Sequence, residues 1–160
     1  MKRLAGPIAC SIILALATHA GIVYFAPSFI MDRAYTMIGE RGTPVHGFQL
    51  APQMRPDTQS VVRPSPDLAY SGCRFDFGQA ANGIRVKMAA YEGYSSLSFF
   101  DAQTNNFRTI RGNGEPQEIT LTAKDAPSAK GIILIRRLAP TDADYARVIE
   151  AAQNDICEAL

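Results

Sequence analysis

Between Ala69 and Asp101 the chain runs through three strand-like stretches in quick succession: AYSGCRFDF, then IRVKM, then SSLSFF. In the second, Ile84, Val86 and Met88 alternate with Arg85 and Lys87, the two-residue period of a strand with one wet face. Asn82-Gly83 lies between the first two runs and suits the positive φ angles of a hairpin turn, so the runs are expected to pair as neighbours. The third run opposes Leu97 and Phe99 to Ser96 and Ser98. Phe100 then breaks the alternation, as a strand touched on both faces would. So dense a β block commits the rest of the domain to sheet.

The sequence after Asp101 completes that core. Phe107–Ile110 is a short strand candidate, and Gly112-Asn113-Gly114 a turn with no following Lys-Ser/Thr, so not a phosphate loop. Ile119, Leu121 and Ala123 alternate with polar residues as another half-wet strand. Gly131-Ile-Ile-Leu-Ile is apolar without a break, the mark of a central strand covered on both faces. Thr141 and Asp144 form a capping box, and Tyr145, Val148, Ile149, Ala152 and Ile156 fall on one face of the helix it starts. The expected fold is mainly β: an antiparallel β-sandwich-like domain of about six strands over residues 67–160, closed by a C-terminal helix.

What precedes it reads as delivery. Leu4–Met31 contains no Asp, Glu, Lys or Arg, and Ile8–Ala26 is long enough to cross a bilayer core of about 30 Å as a helix. A cleaved signal with its site near Ala17 competes with a retained transmembrane anchor over residues 1–31. Apolar sequence resumes at Gly21–Phe25, beyond that site, which favours the anchor. Lys2 and Arg3 then keep the N-terminus cytoplasmic and place the domain across a bacterial inner membrane, in the periplasm. His19 lies within the span: either a functional intramembrane group or a neutral imidazole bonded to its own surroundings. Residues 32–66 are expected to hold the rest of a short helix, Phe29–Glu40, that opens at Pro27-Ser28, and then a Pro-rich tether. Val45–Leu50 is the part of that tether able to dock as an edge segment.

The formal net charge is +1, with acids and bases interspersed, which argues against a nucleic-acid partner. Both histidines, His19 and His46, precede the core, and no Gly-x-Ser-x-Gly elbow occurs, so nucleophilic catalysis finds no support. No Cys-x-x-Cys or His-x-His spacing suggests a metal, and no cofactor is expected. If the domain lies in an oxidising space, Cys73 and Cys157, its two cysteines, are a candidate disulfide between the first core strand and the end of the closing helix. Two separate buried thiols are the alternative. Arg74, Asp76, Asp101 and Arg136, joined by Asp67 and Tyr70, are the candidate binding cluster. Its carboxylates suit acid–base work or a sugar or cation, against ordinary strand-end ion pairs and turns. Tyr91, Tyr94, Phe99, Phe100 and Phe107 either line an apolar groove or fill the core.

Three stretches carry a family resemblance. VVRPSPDLAYSGCRFDF, GYSSLSFFDAQTNNF and KGIILIRRLAPTDADYARVIEAAQ, in that order, resemble the opening, middle and closing segments of the bacterial family of domain of unknown function 1254. Pro66 stands where many members carry Arg. The resemblance implies a β-sandwich-like fold and, for a short anchored chain, a separate partner of the domain of unknown function 1214 type. Two functional expectations stand side by side: a binding or assembly module working with that partner, and a cell-envelope enzyme acting on a carbohydrate or lipid-linked substrate through Asp67, Asp76 or Asp101.

Overall fold

A computed structural model of the chain describes residues 2–55 and 64–160. It opens with helix α1, Lys2–Glu40, about 58 Å long at 1.5 Å per residue. The helix does not break at Pro27, as the sequence suggested. Pro7 and Pro27 both lie inside it. Each proline removes one i→i−4 hydrogen bond, a loss that apolar helices in a membrane absorb locally. The stop comes at Gly42, whose φ of +98° suits the left-handed end of a helix. Gly42 N–H donates to Gly39 O (2.9 Å) and Thr43 N–H to Ile38 O (3.2 Å), satisfying two end carbonyls in a Schellman motif.

Instead of a free tether, the chain then docks at once. Val45 bridges Arg74, and β1 (Gln49–Leu50) pairs antiparallel with β2 (Leu68–Asp76). Ala51 N–H continues that edge to Tyr70 O at 2.8 Å. The rest of the expected tether, residues 56–63, lies outside the described residues.

The domain is a sandwich of two antiparallel sheets. Five strands run β1-β2-β7-β4-β5, with β7 (Lys130–Leu138) between β2 and β4 (Ser95–Phe100), and β5 (Asn106–Arg111) beyond. Three run β6-β3-β8, with β3 (Ile84–Met88) between β6 (Gln117–Leu121) and β8 (Ile156–Ala159). Cys73, Phe75, Leu97, Phe99, Ile133 and Ile135 of the large sheet face Ile84, Val86, Met88, Leu121 and Cys157 of the small one across a single buried core. The uninterrupted apolar run 131–135 is the central strand, as its composition required.

Three readings need correction. Gly83 has the expected positive φ, +112°, yet Asn82-Gly83 is a crossover and not a hairpin turn. Both edges of β2 are taken, by β1 and β7, so the chain must leave for the other sheet. The half-wet strand ends at Leu121 and not Ala123, because the Asp125 carboxylate captures both the Thr122 N–H (2.9 Å) and its hydroxyl (2.6 Å) in a turn. The closing helix α2, Asp142–Ala152, starts on the Thr141–Asp144 capping box but stops four residues short of Ile156. Of its expected stripe Val148 is buried and Ile149 exposed, while Ile156 pairs with Lys87 as a strand residue.

Cys157 therefore sits on β8, not at a helix end. It is bonded to Cys73 on β2, 84 positions away in sequence, with Cα atoms 6.6 Å apart. The bridge ties the two sheets through their common core. For a loop of this length the chain-entropy account gives roughly 4–5 kcal/mol, and removal of a native bridge typically costs about 2–5 kcal/mol. Thiol titration of the denatured protein is expected to find Cys10 alone without reductant and Cys73 and Cys157 in addition with it. The Cys73→Ala/Cys157→Ala pair is expected to unfold at lower urea by an amount in that range.

Candidate functional site

The six residues of the candidate cluster are distributed over the large sheet and its loops. β2 and β7 alternate in and out of the core, so Tyr70, Arg74 and Arg136 all point to the outer face. There Arg136 donates to Ser98 Oγ at 3.0 Å, and the Tyr70 hydroxyl accepts the Ser65 N–H at 3.0 Å. Asp101 closes the β4–β5 loop, its carboxylate accepting from Gln103 N–H, Asn105 N–H and Asn105 Nδ2 at 2.8–2.9 Å. Asp67 is exposed, and its backbone carbonyl takes the Ala139 N–H at 2.7 Å. These carboxylates do not converge on one cavity.

Arg74 and Asp76 belong to a different construction, the joint between α1 and the domain. Arg74 Nε and Nη2 both donate to Thr43 O, at 3.0 and 2.7 Å, and its guanidinium lies over the Tyr35 ring, 4.9 Å from the centroid. A side chain at Gly39 would run into that guanidinium, so the missing Cβ is what lets helix and arginine approach. Asp76 is buried and accepts from Gly78 N–H (2.9 Å) and Gln79 Nε2 (3.4 Å), with Lys130 Nζ at 3.2 Å. Burial pushes its carboxyl up, but the Gly78, Lys130 and Gln79 donors together outweigh it and hold it below the ordinary 3.8. Burial raises the Tyr35 phenol, partly offset by the Arg74 charge. His46, at φ +58°, has Nε2 3.1 Å from Asp76 O. This joint is a clasp between helix and sheet.

A second polar constellation escaped the sequence reading. Arg137, the penultimate residue of β7, turns into the core. There it forms a two-pronged pair with Asp155, Nη1 to Oδ2 at 2.8 Å and Nη2 to Oδ1 at 2.6 Å. Their side chains are 1% and 0% exposed. Ala89 N–H donates to Asp155 at 2.9 Å, the guanidinium lies 5.9 Å from the Tyr91 ring centroid, and the Tyr91 hydroxyl donates to Leu138 O at 2.6 Å. The clue available in advance was Asp155 itself, an acid set where the helical stripe should have continued to Ile156.

The five aromatics do not form a groove. Tyr91 and Phe99 are buried, Phe107 packs on Phe99 with ring centroids 6.1 Å apart, and exposed Tyr94 lies beneath Arg111. Among the described residues no three His, Cys, Asp or Glu side chains are grouped to hold a metal ion. What the arrangement does chemically is hold: a helix to a sheet, and a sheet to a helix end.

Residues 45–157 match the family model described as protein of unknown function, DUF1254. The chain belongs to the DUF1254 family. The match starts at Val45, where the chain docks on β2, and so takes in the edge strand β1. The fold is similar to that of the VPA0106 protein from Vibrio parahaemolyticus, with a TM-score of 0.59 and 15% identity over 86% of this chain and 37% of that one. This DUF1254 chain thus spans little more than a third of that protein's length. No curated protein matches it.

Two expectations follow from these contacts. Asp155→Asn leaves Arg137 charged, buried and half-partnered, and is expected to cost about 3–5 kcal/mol in urea unfolding of the detergent-solubilised protein; Arg137→Met with Asp155→Leu, which removes both charges, is expected to cost much less. Asp76 gives a test through pH. Its folded value lies below its unfolded one, so its contribution is complete above about pH 4 and is lost as pH falls through the folded value. Asp76→Asn is expected to flatten the acid limb of the unfolding midpoint against pH below that point, leaving the slope from pH 6 to 8 unchanged.

Proposed function

We propose that this DUF1254 protein is a single-pass inner-membrane binding or assembly module whose sandwich domain faces the periplasm and works with a second β domain on another chain. The observation that carries the reading is the use of the polar residues: Arg74, Asp76, Asp101, Arg136, Arg137 and Asp155 are all spent on holding the domain and its helix together. What the chain offers to other molecules is then its surfaces. Helix α1 has the length and apolarity to cross a membrane, and the Cys73–Cys157 bridge favours the oxidising side for the domain. Lys2 and Arg3 ahead of the span favour a cytoplasmic N-terminus. The partner we propose is a protein of the domain of unknown function 1214 type. Its support is the family resemblance.

Cross-linking in intact membranes before detergent extraction tests this reading. A second polypeptide with a β-rich extramembrane domain is expected to be recovered with the tagged protein. Recovery of this chain alone, under cross-linking that captures known envelope complexes in the same cells, counts against a partner. For the address, a phosphatase reporter fused after Leu160 is expected to be active; an active cytoplasmic reporter at the same point reverses the orientation.

A further inference from the structure

We propose that the domain does not hang from its anchor but lies on the bilayer, with the β4–β5 loop, Ala102–Asn105, seated in the lipid headgroup layer. This rests on α1 being a membrane anchor, and the geometry goes further than that reading. The loop does not lie beside the end of α1. It lies well down the helix, and the two line an open notch between His19, Val23, Tyr24 and Ser28 on one side and Gln103 and Asn105 on the other.

Two markers of the membrane boundary and one limit on depth meet there. Twenty helical residues span about 30 Å, the thickness of the hydrocarbon layer, and end at Val23 when counted from Leu4; the stretch Ile8–Ala26 ends less than one turn further on. Tyr24 and Phe25 follow, 76% and 67% exposed, the aromatic residues favoured at a membrane interface. The loop cannot lie deeper than that plane, because irregular backbone facing lipid would leave its polar groups unpaired. Its own side chains, Gln103, Thr104 and Asn105, are exposed and polar.

The far side of the helix agrees. Ala26, Pro27, Ser28, Met31, Ala34, Tyr35 and Ile38 are wholly or partly covered, whereas Ile22 and Phe29, seven residues apart, are open on the opposite side. Phe29, 72% exposed, lies about 7 Å beyond Tyr24 along the axis, still within a headgroup layer about 5–8 Å thick. An aromatic so exposed beside a folded domain is costly in water and favourable among headgroups. Arg33 follows one turn later on that side, within reach of lipid phosphates. On the domain side, the Ala102 N–H bond to Ser128 Oγ (2.9 Å) brings the β6–β7 loop, with exposed Lys124, to the same end.

Depth-dependent quenching tests the placement in the full-length protein, reconstituted into vesicles of phosphatidylcholine and phosphatidylglycerol. In a Cys10→Ser background the introduced thiol is the reactive one, since Cys73 and Cys157 are bonded. An environment-sensitive fluorophore is placed at Gln103→Cys, at Asn113→Cys and at Ile12→Cys. Asn113 lies at the opposite end of β5, about 20 Å away along the strand. The Gln103 probe is expected to be quenched several-fold more by headgroup nitroxide than by mid-chain nitroxide, the Ile12 probe by mid-chain nitroxide, and the Asn113 probe by aqueous iodide alone. A Gln103 probe as open to iodide as the Asn113 probe, with Ile12 still quenched from mid-chain, overturns the seating and leaves the anchor standing. A Gln103 probe quenched from mid-chain also overturns it. An Ile12 probe that escapes mid-chain nitroxide overturns the anchor and the seating together.

Discussion

Arg137 sits in the dark centre of the molecule with its charge intact, and that one fact organises a large part of the domain. A guanidinium with 1% of its surface exposed can be tolerated only beside a carboxylate placed to meet it. Asp155 meets it with both oxygens, and to do so the chain must leave α2 at Ala152 and turn inward. Once Asp155 is held, Ile156 and Cys157 have no choice but to run along β3, which brings the Cys157 sulfur over the Cys73 strand. The same carboxylate takes the Ala89 N–H, fixing the segment that leaves β3. One buried ion pair thus sets the end of a helix, the start of the last strand and the approach of the two sheets. Such a pair is a weak source of net stability, because desolvation offsets most of the attraction. Its consequence is specificity: any packing that separates the partners strands a charge.

The parts of this architecture that were legible in the sequence are those governed by neighbours along the chain. Alternation at Ile84–Met88 appears as one buried and one half-wet face, the apolar run 131–135 is the central strand, and the Thr141–Asp144 box starts its helix. What was not legible depends on contacts across the fold. Asn82-Gly83 specifies a tight positive-φ turn, and nothing local says whether the strands it joins share a sheet. The helical period through Ile156 was real as a pattern and wrong as a structure, because a tertiary partner for Asp155 outweighs the small gain of one more helical turn. Pro27 misled for the opposite reason. Its rule comes from helices in water, where a proline costs about 3 kcal/mol, whereas here the helix is held from one side by the domain.

The polar residues proposed as a binding cluster share a position at strand ends and on the outer face, and they do not converge on one cavity. Asp101 holds a loop by three hydrogen bonds; Asp76 and Arg74 hold a helix; Arg136 braces a serine. A sequence displays residue types, and in a domain of this size each exposed-type residue has several structural uses for every catalytic one.

The clasp at Arg74 gives the helix and the sandwich a fixed relation, and this changes what a membrane anchor means here. A flexible tether would let the domain sample a volume above the bilayer set by linker length. A helix fastened by Thr43, Tyr35 and Gly39 to the second strand, with its partly covered face running back to Ala26, leaves no such freedom. Among the described residues the five-stranded sheet ends on β1 at one side and β5 at the other. The fastening sets how the sandwich stands against α1, and the arginine that achieves it lies on the strand whose inward side carries the disulfide.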